Sequence, residues 1–177
     1  MVTATYELIQ GYTLSSPGYF TFSSIPQNYK HLVLITQIGR DIAGGSGGRG
    51  YWIQFNGDTG SNYRQFYTYG TGGSSTMGSD VSTQTSQPAI TSSGDVSTSY
   101  NPSYFEINNY SRNDQKKILI GGAGNGVNGD GGYATPNMRG AFFWNNINAI
   151  TSISLTQATD NFSTGSTARL FGIAGDI

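Results

Sequence analysis

Apolar and polar residues alternate in short runs along this chain. In "HLVLITQI" (31–38), Leu32, Leu34 and Thr36 fall on one side of an extended strand, and Val33, Ile35 and Gln37 on the other. In "YWIQF", Tyr51, Ile53 and Phe55 alternate with Trp52 and Gln54, while in "ARLFGI" Leu170 and Gly172 oppose Phe171 and Ile173. Ile150, Ile153 and Leu155 mark another strand within "ITSISLT". Similar runs recur as "YELI", "YFTFSSI", "YRQFYTY", "YFEINNY", "KKILIG" and "GAFFW", rich in aromatic and β-branched residues and bounded by Gly, Asn, Ser or Pro. No long stretch carries apolar residues at helical spacing, and abundant Gly, Ser, Thr and Asn oppose helix formation. The pattern predicts an all-β fold, an antiparallel sandwich or barrel of about eight to ten short strands.

Three Gly-rich stretches interrupt the strands: "AGGSGGRG" (43–50), "GTGGSSTMGSD" (70–80) and "GGAGNGVNGDGG" (121–132). They are too polar to bury and are expected as long surface loops at the ends of the sandwich. Residues 70–103 are poor in apolar side chains and are expected to run over the surface before "SYFEI" resumes a strand. No shift in composition marks a boundary, so residues 1–177 are expected to form a single sandwich domain.

A chain of 177 residues buries roughly 70% of its extended surface on folding, so disulfides are not required. The absence of Cys removes thiol nucleophiles and thiolate metal sites. Charged residues make up 11% of the chain, against about 25% in ordinary soluble domains. The net charge is -1, and the nine Lys and Arg residues are scattered rather than gathered in a basic stripe, so nucleic acid is not an expected partner. A near-neutral surface rich in Ser, Thr, Gly and Asn repels neighbours weakly and favours association. "MVTATYELIQ" has neither the basic nor the apolar region of a signal peptide. No apolar run approaches the roughly 20 residues of a membrane-spanning helix, so a soluble chain without a membrane partner is expected.

Candidate chemistry is sparse. Two Gly-x-Gly-x-x-Gly matches, at Gly45/Gly47/Gly50 and Gly124/Gly126/Gly129, lack the strand-then-helix setting that holds a pyrophosphate. His31 is the only histidine, with no second His and no Gly-x-Ser-x-Gly elbow to build a metal site or triad around it. Most of the ten Asp and Glu residues stand in turn contexts, where Asp bonds local backbone. A glycosidase pair roughly 5 to 9.5 Å apart would have to form across strands. The stretch "QFNGDTGSNYRQF" (54–66) offers Asn56, Asp58 and Asn62 as a candidate cation loop. Counted from Asn56 it fails calcium-loop spacing at positions five, six and twelve, and it has no flanking helices. The simpler reading is a tight connection between two strands, with Asn-Gly supplying the positive φ of a hairpin turn and Asp58, Thr59 and Asn62 bonding the loop's own backbone. Tyr63, Tyr67 and Tyr69 follow the loop and are candidate interface or glycan contacts, since exposed Tyr anchors interfaces and stacks on sugars; the alternative is that about half of the aromatic residues fill a core with few Leu.

Four segments share one further property. "YELIQGYTLSSPGYFTFSSIPQNYKHLVL" (6–34), "FNGDTGSNY" (55–63), "YFEINNYSRNDQKKIL" (104–119) and "WNNINAITSISLTQATDNFSTGSTARLFGI" (144–173) together resemble, in matching order, a family of small virion structural proteins of tailed bacteriophages, the type common in marine and cyanobacterial phages. The resemblance implies a jelly-roll-like β-sandwich and an accessory particle protein with no catalytic activity and no cofactor. Its implied place is the virion, assembled in the host cytoplasm. Strands running from about residue 6 to 173 leave room for one compact module, which favours a small part docked on a lattice over a fibre. The expected role is a capsid decoration or cement protein that binds and stabilises the major capsid protein lattice or other virion proteins, as a homo-oligomer, with a trimer favoured by the class. The alternative is a receptor- or glycan-binding module of the tail or capsid surface, recognising a host surface glycan. Segments 43–50, 70–100 and 121–135 fall outside the resemblance.

Overall fold

Every regular element described in a computed structural model of the chain is a strand, as the alternation predicts. The described residues are 6–41, 49–70, 77–84, 87–93, 100–124, 137–157 and 160–174; of these, 49–50, 69–70, 77–84, 87–93 and 137 are described by backbone path alone. The strands are β1 (Tyr6–Thr13), β2 (Phe20–Phe22), β3 (His31–Ile38), β4 (Arg49–Phe55), β5 (Tyr63–Gly70), β6 (Met77–Gln84), β7 (Gln87–Ser93), β8 (Asn101–Asn108), β9 (Lys117–Ala123), β10 (Asn137–Trp144), β11 (Ile153–Thr156) and β12 (Thr167–Ile173). All pairings are antiparallel. One sheet has eight strands in the order β1-β12-β3-β8-β9-β10-β5-β6, and the other has four in the order β2-β11-β4-β7.

Two hairpins, β5–β6 and β9–β10, extend the long sheet. Without them, eight strands remain in chain order as β1, β2, β3, β4, β7, β8, β11 and β12. Numbered one to eight, they form one sheet ordered 1-8-3-6 and another ordered 2-7-4-5. That is the paired Greek-key wrapping of a jelly roll. The stretch expected to wander over the surface contains two of the strands, β6 and β7, which corrects that expectation. β6 pairs with β5 from Tyr63↔Gln84 to Gly70↔Met77, and β7 pairs with β4. Each is the edge of its sheet. Ladder hydrogen bonds come from the backbone, so an edge strand forms without the apolar side chains that would announce it. β9 likewise runs on through Gly121 and Gly122 to Ala123, inside the expected loop. The two Gly-x-Gly-x-x-Gly matches fall largely outside the described residues, as do Asp95, Asp130 and Asp176 and the side chains of Asp80 and Tyr69.

Between the sheets lies a core built more from rings than from leucines. Phe162 stacks on Phe20 at 5.5 Å and meets Tyr19 and Tyr51 edge-on, and Phe55 packs against Trp144 at 5.5 Å. The alternations read in β3, β4 and β12 hold: Leu32, Leu34, Tyr51, Ile53, Phe55 and Leu170 are all buried. Three buried hydroxyls satisfy one another, with Thr36, Tyr51 and Ser103 at 2.5 to 3.1 Å. Burial pushes the Tyr51 phenol up to about 12 despite those two bonds.

The strand registers sort the connections between two ends. Residues 23–30, 56–62, 109–116 and 145–152 join strands at one end. The strand ends joined through 42–48, 71–76, 94–99 and 125–136 lie at the other. At the first end Lys117 is fully buried. Its Nζ donates to the carbonyls of Arg112 at 2.7 Å, Gln115 at 2.6 Å and Ile147 at 2.8 Å, which ties the connection 109–116 to the connection 145–152. Burial lowers the lysine pKa, with the Asp114 carboxylate opposing that shift. An ammonium has three donors, and all three are used here. Lys117→Met fits the space but strips three carbonyls of a charged donor, so it is expected to cost about 3 kcal/mol, read as a lower denaturant midpoint in equilibrium unfolding.

Candidate interaction surface

Phe55 ends β4 in the short sheet, and Tyr63 begins β5 in the long one. The stretch between them is therefore a crossing from sheet to sheet, and the expected hairpin between neighbouring strands is not formed. The turn itself is present. Asn56 and Gly57 have φ of 52° and 66°, and the Asp58 N–H donates to the Phe55 carbonyl at 2.9 Å. Positive φ at both central residues is the mark of a type I′ turn.

The side chains of the crossing reach both sheets. Asn56 Nδ2 donates to Ala149 O at 2.8 Å, and Asn56 Oδ1 accepts the N–H groups of Thr151 at 2.8 Å and Ser152 at 3.1 Å, just before β11. Asp58 Oδ2 accepts from Trp144 Nε1 at 2.7 Å, on β10 of the long sheet, and from Asn62 Nδ2 at 2.9 Å. Asp58 Oδ1 accepts the Gly60 N–H at 2.8 Å, so the expectation that Asp58 bonds loop backbone holds. Burial acts to raise the Asp58 pKa, but the donors Trp144, Gly60, Asn62 and Asn146 outweigh it and hold the carboxyl below its ordinary range. As a cation loop the trio does not converge. Asn56 turns to residues 149–152, and Asn62 presents its amide nitrogen to Asp58. Among the described residues no three His, Asp or Glu side chains are grouped to hold a metal ion.

Of the tyrosines expected as contacts, Tyr63 is corrected by its burial. Its hydroxyl donates to Asp58 O at 3.1 Å and accepts the Phe55 N–H at 3.0 Å, and the ring is wholly enclosed. That enclosure, with the Asp58 charge nearby, pushes the phenol up to about 12. Tyr67 is half-buried against the core, and the side chain of Tyr69 lies outside the described residues. His31 opens β3, half-buried. Asp160 is engaged by Arg40 and Asp114 by Arg112.

The surface suited to contact lies elsewhere, on the outer face of the long sheet. Register places Leu8, Phe171, Val33, Glu106, Ile120, Ala141 and Phe66 opposite one another from β1 to β5, a row broken by a single carboxylate and by Val33, which its neighbours cover completely. The rows on either side carry Ile35, Tyr104, Ile118 and Phe143, together with Arg64, Arg139 and Arg169. Ile120 is 54% exposed and Phe66 46%, and Phe66 meets Phe143 edge-on at 5.8 Å. Aromatic and aliphatic groups with Arg and without Lys have the composition of interface centres. A contiguous apolar patch of this kind on a folded chain marks a contact site. The sequence carried a signal for it: "LVLI", "ILI", "FFW" and "LFGI" are unbroken apolar runs, whereas a strand with one solvated face should alternate.

Part of this face is an open groove of about 1140 Å³. Its floor is the side-chain-free backbone of Gly121, Gly122 and Gly140, bordered by Tyr104 and Glu106 on β8 and by Arg139 on β10. Of the three, Gly122 is the one whose side chain would point outward, and it has to be glycine. A Cβ at Gly122 would stand 2.2 Å from the Met138 carbonyl oxygen and 3.1 Å from Arg139 Cγ, where the arginine stem crosses. No family model, curated protein or solved structure matches the chain.

The Asp58 network gives a pH dependence with a definite sign. A depressed carboxyl pKa contributes stability that is present above the unfolded value of about 3.9 and is lost as pH falls through the folded value. Asp58→Asn is expected to cost about 1 to 2 kcal/mol at pH 7, the lower part of the range for charged hydrogen bonds because the site is partly open to water. The gap between mutant and wild-type urea midpoints should narrow below about pH 4.

Proposed function

We propose that this chain is a non-enzymatic structural protein of a tailed-phage virion, a capsid decoration or cement protein that binds the major capsid lattice and stabilises it. The observation that carries this reading is β1. It is the edge of the long sheet, pairing only with β12 among the described strands. Eight residues long, it has no Pro or Lys, and it exposes Tyr6 at 50%, Leu8 at 55% and Tyr12 at 41%. Soluble proteins normally blunt such an edge with charge, Pro or a covering element, because free N–H and C=O groups beside apolar side chains recruit another chain. Here the only blunting features are a register shift between Leu8 and Gln10 and the single charge of Glu7.

Further support comes from the jelly-roll strand order, used by capsid and lectin domains alike, from the resemblance of four ordered segments to virion proteins, and from the weakly charged surface. In this reading β1 adds to a neighbouring subunit of the lattice or to another copy of the chain, in a trimer. Each module bridges subunits, and binding the closed shell in preference to its parts stabilises it by mass action.

Particles assembled without the protein are expected to release their genome at lower temperature and in low salt, and adding back purified protein should restore resistance. Leu8→Asp, at an exposed position, should fold normally and fail to restore it. Equal resistance of depleted and complete particles would remove the cement role, and a monomeric mass by light scattering would remove the trimer.

A further inference from the structure

The groove on the outer face has a chemistry that the cement role does not use. Glu106 and Arg139 stand on β8 and β10, separated by β9, and so across a floor about 10 Å wide at ordinary strand spacing. They border it without forming an ion pair with each other. The aromatic ring of Tyr104, 43% exposed, stands two residues from Glu106 on the same strand face. Between them the floor offers flat glycine backbone and the exposed side chain of Ile120.

We infer that this groove is a binding site for an acidic polysaccharide, a polymer whose sugar units carry both hydroxyls and a carboxylate. A guanidinium grips a carboxylate by charge-assisted, often bidentate, hydrogen bonds. Glu106 accepts from hydroxyls, and the apolar face of a pyranose ring lies on the glycine floor and against Tyr104. One uronate unit answers both walls. An acidic peptide answers Arg139, but it has no flat apolar ring face to lie against Tyr104, and its backbone N–H groups are the donors it brings to Glu106. A neutral sugar answers Glu106 but leaves the guanidinium without an anion. Gly122, between Tyr104 and Arg139 in register, leaves the floor there free of a side chain. The inference does not rest on the virion role, because it requires only the isolated chain.

The test is calorimetric titration of the purified full chain with oligogalacturonate, with dextran oligosaccharide of equal length and with poly-glutamate, at low and moderate salt. Oligogalacturonate is expected to bind at least about tenfold more tightly than either other probe. Arg139→Gln and Tyr104→Ala should each weaken that binding about tenfold or more. Arg139→Lys should retain part of it, and Leu8→Asp, outside the groove, all of it. Both groove positions are exposed, and thermal melts of each variant matching wild type would confirm that the fold is kept. Three results would each overturn the inference: no binding of oligogalacturonate, undiminished binding by folded Arg139→Gln, or poly-glutamate binding as tightly as the sugar. The last would reassign the groove to an acidic protein surface.

Discussion

The crossing from Phe55 to Tyr63 is the constraint on which the two-sheet arrangement depends. A β-sandwich needs its sheets held at one spacing and in one register, and apolar packing alone is non-directional. Here direction comes from two short side chains. Asn56 fastens the crossing to the segment that enters β11, beside β4 in the short sheet. Two residues on, Asp58 fastens it to the Trp144 indole in the long sheet. Trp144 in turn packs on Phe55, so the polar tie and the aromatic contact act at the same junction. The type I′ turn makes this possible, because it places the two polar side chains on a tightly fixed backbone.

The same end of the molecule is tied at other points. Tyr110 accepts the Tyr29 N–H and donates to the Pro26 carbonyl, Gln27 bonds the carbonyls of Ile25 and Ile150, and Lys117 binds three carbonyls from two connections. These residues belong to the connections 23–30, 109–116 and 145–152 and to the strand ends beside them. Each side chain satisfies backbone groups that a tight connection would otherwise leave unpaired, and few residue types do so in the available space. The strand ends joined through 42–48, 71–76, 94–99 and 125–136 lie at the opposite end of the sandwich.

The two inserted hairpins have a second consequence. They lengthen one sheet to eight strands while the other keeps four, so the molecule has one broad outer face rather than two equal ones. That face carries the apolar rows, the three arginines and the glycine-floored groove. The glycines in β9 and β10 serve close backbone approach: a Cβ at Gly140 would stand 2.4 Å from the Phe66 carbonyl oxygen. Among the described residues, the broad face carries Tyr6, Leu8, Ile35, Phe66, Tyr104 and Ile120 of the exposed large apolar side chains, while Tyr12, Tyr19, Trp52, Tyr100 and Ile147 lie elsewhere.

By itself the sequence determined the fold class, the positions of most strands and which side of β3, β4 and β12 faces the core, because strand periodicity is written in neighbouring residues. It also determined the turn at Asn56-Gly57, because positive φ is a local property. It did not reveal β6 and β7, whose pairing uses backbone alone, or that the turn joins two sheets rather than a hairpin, which depends on partners far along the chain. Tyr63 illustrates the limit. Beside Tyr67 and Tyr69 it reads as an exposed contact, yet its hydroxyl has partners at Phe55 and Asp58 and its ring is enclosed by both sheets. Tyr104, Glu106 and Arg139 come from two strands separated by a third. Only strand order brings them to one groove, because side-chain convergence across a sheet is set by hydrogen-bonded register and not by spacing in the chain.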